Sequence, residues 1–142
     1  MILLDNDHVS VLRTPTSPRR VRLVGRMASY TGGPICIPVI ATEETMRGWL
    51  SAVAKEKTAK RQVFAYRELG DMFSFFAKFA IIPFDNSAAD KFDELKAAKV
   101  RIGTRDLKIA AIALVQNAIL LTANKRDFEQ VPGLRFENWL DS

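Results

Sequence analysis

Four acidic residues, Asp5, Glu44, Asp106 and Asp127, follow apolar runs or open helical patterns at well-separated points of the sequence. Asp5 directly succeeds Ile2-Leu3-Leu4. Glu44 comes shortly after the apolar run Ile35 to Ile40, in what reads as the first turn of a helix. Asp106 opens the segment Asp-Leu-Lys-Ile-Ala-Ala, and Asp127 follows Ile119-Leu120-Leu121-Thr122 by a few residues. In sheets built from parallel strands, ligands bind beyond the carboxyl ends of the strands, so these positions have first claim on chemistry. Taken singly, Glu44, Asp106 and Asp127 could each simply complement a helix N-terminus. Gathered in one cleft, the four carboxylates would repel one another and rise in pKa unless a cation neutralised them. Oxygen-only ligation selects a hard divalent ion, Mg²⁺ or Mn²⁺. Such ions activate water for in-line attack on phosphorus and stabilise the departing oxygen.

Other residues nearby carry smaller expectations. Asp7, two positions after Asp5, reads as a helix cap, with metal ligation as the alternative. His8 is the sole histidine; it reads as a surface or capping side chain, with general base as the alternative. Thr122, at a strand end, could orient water or a substrate phosphate, or only bond to nearby backbone. Arg47 and Lys108 stand close in sequence to two of the acids, where they could bind phosphate or balance charge.

The elements that must position these groups alternate. Ile2-Leu3-Leu4 reads as a strand, followed by a short helix with Val9 and Leu12 and a break at Thr14-Pro15-Thr16-Ser17-Pro18. A second helix begins near Pro18, with Ser17 as N-cap, and ends at Thr31-Gly32-Gly33-Pro34. Ile35 to Ile40 reads as a strand and Thr42 as the cap of a helix from Glu43 to about Lys55. A long helical pattern from about Thr58 to Phe79 carries Val63, Tyr66, Leu69, Met72, Phe73, Phe76 and Phe79 at three- and four-residue spacing, a stripe expected in the core or at an interface. Ile81 to Phe84 is a third strand, Ser87 caps a helix from about Ala88 to Ala98, and Thr104 starts another reaching Gln116. Ala118 to Leu121 is a strand, Asn124 to Gln130 a helical turn, and Leu134 to Phe136 a last edge strand. The order implies an α/β fold with a mainly parallel sheet of four to five strands covered on both faces.

At 142 residues, with 48% hydrophobic and 26% charged side chains, the chain reads as one soluble globular domain. No apolar run approaches the roughly 20 residues that cross a bilayer. The start lacks the features of a secretory signal, so a cytoplasmic location is expected. Cys36, alone of its kind, sits in an apolar run and reads as a buried hydrophobe. A net charge of +5 suits a polyanionic partner. One basic cluster comprises Arg13, Arg19, Arg20, Arg22 and Arg26, and a second Lys55, Lys57, Lys60, Arg61 and Arg67; a solvated helix face explains either as well as an RNA track does.

Leu3-Leu4-Asp5-Asn6-Asp7-His8, Glu43-Glu44-Thr45-Met46-Arg47-Gly48-Trp49-Leu50, Ile102-Gly103-Thr104-Arg105-Asp106-Leu107-Lys108-Ile109-Ala110-Ala111 and Leu121-Thr122-Ala123-Asn124-Lys125-Arg126-Asp127-Phe128 occur in this order. Together they resemble the PIN-domain family, and within it the VapC-type toxins, over essentially the whole chain. The resemblance implies a PIN-like α/β/α sandwich and a Mg²⁺- or Mn²⁺-dependent endoribonuclease acting on RNA, tRNA or another structured RNA among the possibilities. It also implies a homodimer and a cognate antitoxin. On the family pattern Asp5, Glu44 and Asp106 are the core metal-binding acids and Asp127 the usual fourth, while Asn6 and Asn124 match polar positions beside the first and fourth. Two positions depart: Arg105 stands where asparagine is common, and Ala41 where Ser or Thr is common. Neither removes a metal ligand.

Two other readings compete. A phospho-acceptor receiver domain would use Asp85 with Asp5, Asp7, Thr122 and Lys125, leaving Glu44 and Asp106 idle. A catalytically silent interaction protein would use the aromatic helix from Thr58 to Phe79.

Overall fold

A computed structural model describes residues 1–141. Five short strands, β1 (Ile2–Leu4), β2 (Ile35–Pro38), β3 (Ile81–Ile82), β4 (Ile119–Leu121) and β5 (Arg135–Glu137), form one sheet in the order β3-β2-β1-β4-β5. Every pairing is parallel. Helices α1 (Asn6–Leu12), α2 (Pro18–Ser29), α3 (Val39–Lys55), α4 (Ala59–Phe76), α5 (Asn86–Ala97), α6 (Thr104–Val115) and α7 (Lys125–Phe128) make the connections.

Parallel strands buried on both faces carry continuous apolar runs, and β1, β2 and β4 do so. Successive side chains then point to opposite faces. Leu3, Cys36 and Leu120 join Leu95, Leu107, Ile112 and Phe128 in one core. Ile2, Leu4, Ile37 and Leu121 join Val9, Leu23, Met72 and Trp139 in the other. The result is the expected α/β/α sandwich, with β1 at its centre and Cys36 buried.

Several boundaries differ from expectation. The second strand ends at Pro38 and α3 begins at Val39, so Thr42 is not a cap. Val39-Ile40-Ala41 looks β-rich in sequence, but the first helical turn buries Ile40 and Ala41 in opposite cores, and tertiary packing overrides β-propensity. Thr42 Oγ1 is left buried without a hydrogen-bond partner among the described residues. Asp85, rather than Ser87, caps α5, accepting from the Ala88 N–H at 2.9 Å. Ser17 occupies the N-cap of α2 but makes no side-chain capping bond. Helix α4 stops at Phe76, short of Phe79, and its stripe divides: Met72 and Phe76 are buried whereas Val63, Tyr66 and Phe73 are exposed. Among the described residues no helix is long and apolar enough to cross a membrane.

Candidate active site

The carboxyl ends of β1 and β4 lie side by side, because Leu4 pairs with Leu121 and the Asp5 N–H donates to the Leu121 carbonyl at 2.9 Å. Whatever follows these strands therefore meets at one edge of the sheet. Asp5 is 6% exposed. A buried carboxylate requires hydrogen bonds, and Asp5 receives the Thr122 hydroxyl at 2.7 Å and the Asn6 N–H at 2.7 Å. Thr122 in turn accepts the Asn124 N–H at 3.0 Å, which fixes its rotamer.

Asp7 is drawn into the same edge. Its Oδ2 accepts the Ala123 N–H at 2.8 Å and its Oδ1 faces His8 Nδ1 at 2.6 Å. His8 is fully buried, which overturns its reading as a surface residue. Its Nε2 accepts the Trp139 N–H at 3.1 Å, so Nδ1 carries the proton and donates to Asp7. With both ring nitrogens committed, the imidazole has none left to serve as a general base.

The remaining acids come from helices. Asp106 is the third residue of α6, and Asp127 the third of α7. Asn124, the N-cap of α7, spans them, donating from Nδ2 to Asp127 Oδ2 at 3.0 Å and to Asp106 Oδ2 at 3.4 Å. Glu44 lies in the second turn of α3, not the first, because that helix starts at Val39. Asn6 is anchored to the same helix, its side-chain oxygen accepting from Thr45 Oγ1 at 2.9 Å.

Burial and neighbouring charge act together on three of these acids. Burial pushes Asp5 up to about 7, with the Asp7 charge adding to it and the Thr122 and Asn6 hydrogen bonds opposing it. Glu44 is raised by burial and then by Asp106. Asp106 is raised by burial and then by Asp127 and Asp7. Such mutual repulsion is what a bound cation relieves. Among the described residues, no three histidine, cysteine or acidic side chains converge tightly enough to cage an ion by themselves. The donor set fits instead an ion held through one or two carboxylates and completed by water and substrate oxygens, as Mg²⁺ prefers.

Arg47 and Lys108 do not point into this group. Arg47 pairs with Glu43 at 2.9 Å, and Lys108 lies over the Phe84 ring at 5.7 Å. A cavity of about 310 Å³ beside Glu44, with Asn6, Val9, Thr45 and Trp49 among its walls, ends at the Arg13–Glu68 pair. Of the second basic cluster, Lys55 lies at the other end of α3, about 16 Å along the helix from Glu44, whereas Arg67 lies on α4 next in sequence to Glu68, a wall of the cavity beside Glu44. Asp85, central to the receiver reading, caps α5 through one oxygen. Thr45 and the Ala123 N–H went unnoticed in the sequence, and nothing local marks them. Asp7, read as a cap, instead belongs to the acidic group.

Comparison with known proteins agrees with this architecture. The chain is 29% identical over 116 residues to Ribonuclease VapC2 of Haemophilus influenzae, covering 79% of this chain and 80% of that protein. It is 28% identical over 109 residues to a tRNA(fMet)-specific endonuclease VapC of Salmonella typhimurium, covering 74% and 75%. Its fold superimposes on a chain of the VapBC2 complex from Rickettsia felis bound to promoter DNA with a TM-score of 0.72 and 25% identity, over 98% of this chain and 99% of that one. FitAcB from Neisseria gonorrhoeae shares the fold, with a TM-score of 0.71 at 22% identity over the full length of both chains. The PIN domain family matches residues 9–134, and with an all-parallel sheet that gathers its acids at one edge, the chain belongs to that family.

Proposed function

We propose that the chain is a metal-dependent endoribonuclease that hydrolyses phosphodiester bonds of RNA, and the toxin of a toxin–antitoxin pair. What supports this reading is that Thr122 and Asn124 link Asp5, Asp106 and Asp127 at one edge of the sheet while Glu44 shares a depression with Asp106, and that Asp5, Glu44 and Asp106 are raised in pKa. These acids would hold Mg²⁺ or Mn²⁺, with Asp7 beside them. When bound, the ion supplies an activated water and charge stabilisation for the departing oxygen.

The chain's own groups do the positioning. Thr122 and the Asn6 N–H hold the Asp5 carboxylate in one orientation. Asn124 keeps Asp106 and Asp127 facing the same space, and Asn6 connects that space to α3 through Thr45. Thr122, Asn6 and Asn124 thus act as positioning residues. The commitments of Arg47 and Lys108 to Glu43 and Phe84 favour charge balance over direct phosphate contact.

The named activities of the VapC relatives support RNA as substrate, tRNA included, and the VapBC complexes among the fold's neighbours support an antitoxin partner. The exposed Val63, Phe64, Tyr66 and Phe73 of α4 suit a protein contact, either with an antitoxin or in a homodimer. The cytoplasm, where RNA and such partners meet, is the location this function requires.

The test is cleavage of total RNA by the purified protein and by Asp106→Asn, each with Mg²⁺, Mn²⁺ or a chelator. Metal-dependent cutting abolished by the substitution at unchanged stability is the expected result. A chain that neither binds metal nor cuts RNA would instead be the silent interaction protein that exposed α4 favours.

A further inference from the structure

Two groups of cations are left without ion pairs among the described residues, Lys55, Lys57, Lys60, Arg61 and Arg67 around the α3–α4 connection and a second group around the α5–α6 connection, and only the second adjoins the acids. Arg13, Arg19, Arg26, Arg47 and Lys91 all form ion pairs, with Glu68, Asp141, Glu137, Glu43 and Glu94. Lys96, Lys99, Arg101 and Arg105, grouped around the α5–α6 connection, form no ion pair and no side-chain hydrogen bond among the described residues, and all are exposed. Lys96, Lys99 and Arg101 line a groove of about 620 Å³ that reaches Thr104 and Asp127, so one wall belongs to the acidic site. Arg105 continues the path, flanking a depression shared with Glu44 and Asp106.

Two of these cations are placed against local preference. Lys99 adopts φ 62° just after α5, in the left-handed region that favours glycine. Arg105 sits in the first turn of α6, where the helix dipole disfavours positive charge. Helix-dipole complementarity accounts for Lys96 at the end of α5, but not for Arg105. Arg105 is drawn toward Glu43 and Glu44, whose pKa values its charge pulls down, and Lys96 lies over the Phe92 ring at 5.5 Å, but Lys99 and Arg101 have no such internal partner among the described residues. Exposed beside an acidic site, they suit an external anion, and a chain of phosphates matches the procession of the four cations along the groove.

We propose that the α5–α6 groove is the track along which the phosphates of an RNA strand reach the carboxylates, with Lys99, Arg101 and Arg105 as its anion-binding residues. The proposal rests on the nuclease reading and names the side from which the substrate enters.

The experiment measures binding of a labelled single-stranded RNA to cleavage-deficient Asp106→Asn protein across a salt series. A Lys99→Gly/Arg101→Ala pair is compared with a charge-matched control, Lys60→Ala/Arg61→Ala, at the start of α4. The groove pair should weaken binding at least several-fold and lower the slope of log Kd against log salt by about 1.4, at roughly 0.7 per lost phosphate contact; the control should leave the slope unchanged. Lys99→Gly alone should raise the melting temperature while weakening binding, which separates lost contact from lost folding. Equal effects from both pairs, or none from the groove pair, would overturn the proposal. So would a groove pair that loses affinity for poly-glutamate but not for RNA, since an acidic protein segment would then be the occupant. If the unsubstituted chain cuts RNA with a KM indifferent to the groove pair, the track fails while the nuclease stands; if it neither cuts nor binds RNA, both fail.

Discussion

The hydroxyl of Thr122 donates to Asp5 across 117 residues of sequence, at 2.7 Å, and it opposes the burial that raises the pKa of that carboxyl. Removing it with Thr122→Val should push Asp5 higher still. The proton then competes more strongly with metal, so divalent-ion affinity at pH 7 should fall by about tenfold and the acid limb of the kcat/KM profile should move to higher pH. Thr122→Ser should restore both. A profile that stays in place in the valine variant would show that the hydroxyl does not govern the carboxylate.

Stability without metal should depend on pH in a definite direction. Asp5 lies at about 7 in the folded protein against an ordinary 3.8, so its favourable contribution is fully present below pH 3.8 and is lost as pH rises through 7. Chelator-treated protein should melt lower at pH 8 than at pH 5, and Asp5→Asn should shrink that difference. Adding Mg²⁺ at pH 8 should restabilise the native chain more than the variant. Thermal melts at the two pH values check each statement.

His8 bonds to both Asp7 and the Trp139 backbone, so its replacement should affect stability more than proton transfer. His8→Leu leaves the Trp139 N–H buried without its acceptor, a loss of about 1 to 3 kcal/mol by urea unfolding. His8→Gln, which offers one donor and one acceptor, should recover part of it. Were His8 a general base, the glutamine variant would instead be stable and inactive.

The buried hydroxyl of Thr42, unpartnered among the described residues, makes the opposite prediction. Thr42→Val keeps the shape and removes the desolvated oxygen, so it should stabilise the fold by about 1 kcal/mol with unchanged RNA cleavage. A lower melting temperature would refute it.

Strands, their parallel order and the sandwich were legible because β1, β2 and β4 are continuous apolar runs separated by helical periodicity. The helix start at Val39 was hidden, since β-branched residues after Pro38 look like strand until both cores claim them. The acids at the sheet edge stood out because Asp5 follows a strand and Asp106 and Asp127 lie in the first turns of helices, whereas Glu44 drew notice only because its helix was expected to start later than it does. The role of His8 could not be, because its decisive partner, the Trp139 N–H, is a backbone group 131 residues away. The groove cations were likewise obscured: Lys96, Lys99, Arg101 and Arg105 are spread over a helix end, a loop and a helix start, and form no run that stands out in sequence.

The pairing of Ile2 with Ile119 has a consequence for the timing of synthesis. A ribosome releases β1, Asp5 and Glu44 early, yet β1 cannot acquire its β4 neighbour, nor Asp5 its Thr122 hydroxyl, until residues beyond 121 have cleared the exit tunnel. Asp106 and Asp127 emerge at that same late stage. A nascent chain on the proposed function therefore lies against ribosomal RNA and its own peptidyl-tRNA while still lacking the means to cut either.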